Sequence, residues 1–249
     1  MVFHFQCDLL ELDQEQVLDY IHLLKDSHST PSDSYFKHSI YGLRYLYKEY
    51  GLKHLHVALP SVTQDKSLPE VLSHKEVKLI LNTPQLLKHR IAVGLLYGCG
   101  LRNSELCNLK ITDVDLDRKM LHVRKGKGRK DRYVPLCDML VRGITKYLRH
   151  EGPFDYLINS NKKGAQYTSR GVQWLLRKVR RESGIDKQIT AHTLRHTYAT
   201  HLLEMGMDIM TLKDMLGHES VMTTMVYLHV ARVGRNMPFS PLEKLYGQQ

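Results

Sequence analysis

The sequence has no run of about 18 apolar residues, so it predicts no membrane-spanning helix. Its N-terminus, MVFHFQCDLL, lacks a basic stretch ahead of an apolar core, so no secretion signal is expected. Cysteine is scarce: Cys7, Cys99, Cys107 and Cys137 are scattered, with no Cys-x-x-Cys pair. That pattern predicts reduced thiols in a cytoplasmic protein. Internal repeats and low-complexity tracts are absent. No Glu follows His192 to make a His-Glu-x-x-His zinc motif, although His192 and His196 stand one helical turn apart and His201 lies nearby. No metal is therefore expected, and no cofactor motif is present.

What remains is an ordinary globular composition. The 249 residues are 42% hydrophobic and 25% charged, enough for a real core in one large domain or a small domain plus a larger one. The charge is unbalanced: 36 Lys and Arg against 26 Asp and Glu give a formal +10. A polyanionic partner fits that balance. The cations also cluster. Between Arg118 and Arg132 stand Arg118, Lys119, Arg124, Lys125, Lys127, Arg129, Lys130 and Arg132, with Asp131 the one acid after Lys119. A second group, Arg177, Lys178, Arg180 and Arg181, falls on one expected helix. The plain alternative for both groups is a solvated charged surface or a sheet edge guarded by charge.

Periodicity predicts a mainly α chain with one small antiparallel sheet. Asp13 and Gln16 have capping-box spacing before Val17, Tyr20, Ile21 and Leu24, a helix ending near Lys25. Phe36, Ile40, Leu43 and Tyr47 mark a second helix, over 32–50. The proline-flanked stretch 60–69 is expected to link residues 1–59 to a larger domain over 70–232, followed by a tail over 233–249. Ser73 and Glu76 repeat the capping-box spacing, and Leu86 to Tyr97 is a largely apolar helix. Met120–Val123 and Tyr133–Leu136 flank Gly126-Lys127-Gly128-Arg129-Lys130 as a hairpin with a cationic tip. Helices follow over 138–149, 170–182, 192–205, 208–216 and 220–229.

Three segments carry chemistry. They are Gly100-Leu101-Arg102-Asn103-Ser104-Glu105-Leu106, then His192-Thr193-Leu194-Arg195, then Leu216-Gly217-His218 with Tyr227 nine residues on. Taken singly, each has a plain reading: a surface arginine, a packed histidine, a half-buried tyrosine. Jointly they fit transesterification at a phosphate. Two arginine forks suit the non-bridging oxygens, and a phenol supplies the nucleophile. A phenol of ordinary pKa about 10 needs a base or a cationic field to attack near neutral pH.

The ordered set resembles the tyrosine recombinase (phage integrase) family, which includes Xer-type and integron integrases, over roughly Leu68 to Val230. The resemblance implies a two-domain DNA clamp, with a short helical N-terminal (SAM-like) domain and a catalytic domain. It implies catalytic roles for Arg102, Lys127, His192, Arg195, His218 and the nucleophile Tyr227, with Glu105 orienting them. Lys127 would protonate the leaving 5′ oxygen, with Lys125 and Lys130 as competitors. His192 would assist proton removal from Tyr227 or bond the phosphate. The family works without metal or ATP, through a 3′-phosphotyrosyl link and a Holliday junction. It acts as a homotetramer on double-stranded DNA sites, here assembled from monomers, for integration or excision of a mobile element. The tail with Ser240-Pro241-Leu242 would pack onto a neighbouring subunit. It is similar to that of integron integrases, although no integron-type insert separates Lys127 from His192. The first domain lacks the family's first helices, so cleavage is expected to outpace complete recombination. The rivals are a DNA-binding protein that has lost catalysis and a relaxing enzyme of the type IB topoisomerase kind.

Overall fold

The structure is a computed structural model that describes residues 1–8, 10–26, 33–52, 68–124, 131–160 and 164–231. The chain divides into two compact units, Met1–Lys66 and Ser67–Gln249. Most of the expected linker and the tail over 233–249 lie outside the described residues.

The first unit holds α1 (Val2–Phe5), α2 (Gln14–Asp26) and α3 (Asp33–Glu49). The capping box that opens α2 is present. Asp13 Oδ1 accepts from the Gln16 N–H at 2.8 Å, and Gln16 Oε1 accepts from the Asp13 N–H at 3.0 Å. Val17 and Ile21, one turn apart on α2, pack with Leu12 and with Ile40 and Tyr47 of α3 in a small separate core. The four-residue α1 is too short to show periodicity and was not expected from the sequence.

The second unit is built around α5 (Leu87–Gly98), in which every residue from Ile91 to Leu96 is buried. It follows α4 (His74–Asn82), opened by the Ser73–Glu76 capping box, and precedes the short α6 (Asn103–Asn108). Three antiparallel strands come next: β1 (Val114–Asp115), β2 (Met120–Val123) and β3 (Arg132–Pro135), in that order. Leu121 pairs with Val114 on one side and Val134 on the other, and Val123 pairs with Arg132. The sheet thus has one more strand than expected, because two residues are too few to show a period of two. The expected cationic tip, with Lys125, Lys127, Arg129 and Lys130, lies outside the described residues.

The rest is helical: α7 (Asp138–Glu151), α8 (Ser169–Ser183), α9 (Ala191–Glu204), α10 (Ile209–Leu216) and α11 (Met222–Met225). The helix expected over 220–229 is α11 followed by a 3-10 turn, Val226–His229, a tightening common at helix ends. Helix α9 has ten of its residues buried, from Ala191 to Leu203, so it has no simple polar face. Thr197 is one inward polar group with partners on both sides, whereas the buried Thr200 hydroxyl has none among the described residues. The Thr197 hydroxyl donates to Thr193 O at 2.8 Å and accepts from the Leu72 N–H at 3.1 Å. Among the described residues, no helix is long and apolar enough to cross a membrane.

Candidate active site

Arg102 is placed by a backbone turn that requires glycine. Gly100, just past the Cys99 cap of α5, turns the chain at φ +58°, and a Cβ there would meet the Tyr198 ring at 2.5 Å. The chain then enters α6 with Arg102 as its N-cap, and the Arg102 N–H donates to Glu105 Oε2 at 2.8 Å. Glu105 is buried and gathers guanidinium groups. Its Oε1 accepts from Arg102 Nη1 at 2.7 Å and from Arg132 Nη1 at 2.8 Å, and its Oε2 accepts from Arg132 Nη2 at 2.8 Å. Arg195 Nη1 lies 3.9 Å from the same Oε2. Burial alone would push the Glu105 carboxyl up. The hydrogen bonds and charge of Arg132, then Arg102, outweigh it and hold the group down at about 2. Glu105 is therefore the anionic centre of a cationic cluster.

The same three guanidiniums grip the end of α10. Arg132 Nε donates to Met215 O at 2.8 Å, Arg195 Nη2 donates to Leu216 O, and Arg102 Nη2 donates to Gly217 O at 3.2 Å. Carbonyls in a helix's last turn lack partners within the helix and carry its negative pole, so cations suit them. Gly217, at φ +63°, closes α10 with the Gly217 N–H on Asp214 O and the His218 N–H on Lys213 O, both at 3.0 Å. That cap fixes the His218 backbone directly beside the arginines. Its ring Nδ1 pairs with the buried Thr224 hydroxyl at 2.9 Å. Burial, then Arg195, Arg102 and Arg132, lowers the His218 pKa to about 4, so the ring is neutral near pH 7.

Tyr227 closes the site from the 3-10 turn. Its side chain is buried, 3% exposed, with the ring parallel to His218 at 6.3 Å between centroids. Burial raises its pKa, against an opposing pull from the charges of Arg195 and Arg102. The phenol therefore lies in the field of both guanidiniums. Its Oη is 3.0 Å from His196 Nδ1.

The structure brings Arg102, Glu105, Arg195, His218 and Tyr227 together. His192 is exposed one turn away, and its ring lies 6.2 Å from that of His196. Lys127 lies outside the described residues. Arg124, expected to face DNA, pairs through Nε with the buried Asp113. On α8, Lys178 stands 3.8 Å from Glu182 and over the Trp174 ring, and Arg177 donates to Gln173 O at 3.3 Å. Arg180 donates to Asp186 O at 2.6 Å, while Arg181 is exposed.

Sequence reasoning missed Arg132, Thr224 and the part played by His196. For Arg132 there was a signal: β3 alternates buried and exposed, and Arg132 shares the inward face with Val134. It belongs to the buried cluster and not to the cationic tip. For Thr224 no sequence signal exists.

One potential metal cluster occurs among the described residues: ligand atoms of His74, His201 and Glu204 lie within 4.8 Å of one another. His201 instead pairs with the Tyr97 hydroxyl at 3.0 Å and packs against the His74 ring at 4.0 Å, tilted by 32°. Rings that close and that near to parallel pack on each other and do not fan out toward a shared tetrahedral centre.

Residues 70–233 match the family model described as the phage integrase family. The chain belongs to this family of tyrosine recombinases. The tyrosine recombinase XerA of Thermococcus kodakarensis is 38% identical over 226 residues, covering 88% of this chain and 78% of that protein. XerA of Thermococcus onnurineus is 43% identical over 170 residues, and there the match spans 60% of the relative. A crystal structure of XerA recombinase superposes with a TM-score of 0.62 at 30% identity, covering 99% of this chain and 86% of that one. A XerH recombinase bound to its difH substrate shares the fold, at a TM-score of 0.70 and 20% identity over 89% of this chain and 68% of that one.

Proposed function

We propose that this chain is a site-specific DNA recombinase that cuts and rejoins strands through a phosphotyrosyl link to Tyr227. The observation that carries the reading is the burial of one phenol in the field of Arg102 and Arg195, with His218 parallel to its ring. Fixed cations there can meet the charge that builds on a phosphate in its five-coordinate transition state. Arg102 keeps 18% of its side chain exposed and Arg195 only 3%, so Arg102 is the first fork an incoming phosphate meets. His218 and Glu105 support the pair, the first by hydrogen bonding the phosphate, the second by orienting the guanidiniums. Lys127 supplies the proton for the leaving 5′ oxygen, and His192 holds the phosphate from the exposed side. Arg124, Lys125, Arg129 and Lys130, with Arg177, Lys178, Arg180 and Arg181, contribute phosphate contacts along the duplex.

The bond energy stays in the protein–DNA ester, so rejoining needs no ATP. A 5′ hydroxyl from a partner duplex attacks the ester and releases Tyr227. Two such rounds, in a homotetramer on two sites, pass through a Holliday junction and serve integration or excision of a mobile element in the cytoplasm.

The test is covalent trapping on nicked duplexes of random sequence, from which a religating strand is lost. The expected result is a protein–DNA adduct that survives denaturing electrophoresis, with recovered DNA defining the site. Tyr227→Phe is expected to bind DNA and to give no adduct. An adduct that persists in that variant removes the nucleophile, and no adduct from the wild-type chain leaves a DNA-binding protein without catalysis.

A further inference from the structure

We propose that His196 is the group that takes the proton from Tyr227 as the phenol attacks phosphorus. This rests on the nucleophile reading above and adds the base to it. The Nδ1 of His196 lies 3.0 Å from Tyr227 Oη, within the range for direct proton transfer. A ring nitrogen accepts a hydrogen bond only in the neutral tautomer that carries its proton on the other nitrogen; in that tautomer the phenol donates and Nδ1 receives, and the proposed transfer starts from it. The groups around His196 keep its ring neutral. His192 and Arg195 lie on its own helix, Tyr227 faces it from the 3-10 turn, and His218 stands beyond Tyr227. Burial, then His192 and Arg195, all disfavour its protonated form.

His192, which the family resemblance points to, is placed differently. It is exposed and meets the site through the His196 ring at 6.2 Å. Tyr227 needs a nearby acceptor because burial makes its phenol harder to ionise. The cationic field of Arg102 and Arg195 offsets that in part, and a neutral imidazole in contact supplies the rest.

The step balances as follows. The Tyr227 O–H bond breaks and its proton passes to His196 Nδ1. The Oη–P bond forms, the P–O bond to the 5′ oxygen breaks, and that oxygen takes a proton from the leaving-group acid. In the reverse reaction a 5′ hydroxyl gives its proton back to the deprotonated leaving-group acid and bonds to phosphorus, the Oη–P bond breaks, and His196 returns its proton to the departing phenolate.

The experiment measures single-turnover adduct formation on the DNA recovered by trapping, from about pH 6 to about pH 9, around the range where an imidazole base titrates. His196→Asn is expected to slow it by about 10²-fold near pH 7. The deficit should shrink as pH rises and hydroxide replaces the base. Free imidazole should restore part of the rate to His196→Ala, while His192→Asn should gain nothing from it. Thermal melting of each variant checks that the fold is retained, and rescue by imidazole reports on the base even if melting falls. The proposal is overturned by wild-type rates in His196→Asn at every pH. It is equally overturned by a loss that is the same at every pH with no imidazole rescue. A dead Tyr227→Phe beside a fully active His196→Asn would sink this inference alone. An active Tyr227→Phe would sink the nucleophile reading itself.

Discussion

At the scale of single residues, Glu105 concentrates the most consequence. It is a buried anion whose two oxygens meet Arg102 and Arg132, with Arg195 nearby. Removing a main partner from such a pair leaves a buried charge short of hydrogen bonds, which costs about 3–5 kcal/mol. Arg132→Ala is therefore expected to lower unfolding stability by about that amount, read from urea denaturation. Arg102→Ala should cost less, since Arg102 is partly exposed and Glu105 keeps both bonds to Arg132. Equal losses would mean that Arg132 is not the main counter-ion.

The titrating residues also set an acid limit. His218 has a folded pKa near 4, below its ordinary 6.5, so the unfolded chain takes up the proton first. Stability is expected to fall as pH drops from about 6.5 toward about 4. Glu105, held near 2 against an ordinary 4.5, adds a second loss below about pH 4.5. Urea midpoints measured between pH 7 and pH 4 should decline in the wild-type chain and decline less in His218→Asn. Parallel curves for the two proteins would remove His218 from the account.

At the scale of elements, the end of α10 is the joint on which the site turns. Its Gly217 cap directs three carbonyls to three arginines and sets His218 in place. A side chain at Gly217 would be strained at φ +63° and would also press on Arg132, with Cδ at 3.1 Å and Nη1 at 3.2 Å. Gly184 offers the control. It caps α8 at φ +67° with nothing within 4 Å of a Cβ. Gly184→Ala is expected to cost about 1–3 kcal/mol for backbone strain alone. Gly217→Ala should cost more and should also slow adduct formation, because Arg132, which holds Glu105, must give way by a few tenths of an ångström. Equal melting losses with full activity in both variants would contradict this account of the joint.

At the scale of the whole molecule, the formal charge of +10 makes DNA affinity a salt-dependent quantity. A protein with about 6–10 phosphate contacts loses about 10³–10⁵ in affinity between about 50 and 200 mM salt. Anisotropy titrations with a random-sequence duplex should show a linear fall in log affinity against log salt. An affinity indifferent to salt would contradict phosphate-led binding. The two units have separate apolar cores, so the piece Ser67–Gln249 is expected to fold alone, with a cooperative thermal transition of its own.

Much of this protein was legible in the order of its residues. Capping boxes at Asp13–Gln16 and Ser73–Glu76 are local chemistry, written within four residues, and helical periodicity is local too. The Arg102, His192–Arg195 and His218–Tyr227 boxes were legible because their residue types and order match a known family. Other features depend on distance in the chain. Arg132 meets Glu105 across 27 residues, and Arg195 meets Gly100 across 95. Which histidine touches the phenol was also beyond the sequence, since His192 and His196 share one helix and differ by a single turn. Packing of the 3-10 turn against α9 decided it, burying Tyr227 against His196 and leaving His192 in water. The sequence determined which groups are available and where helices start. Tertiary structure decided which of them meet, because a buried charge or polar group is costly without a partner and these partners lie far apart in the chain.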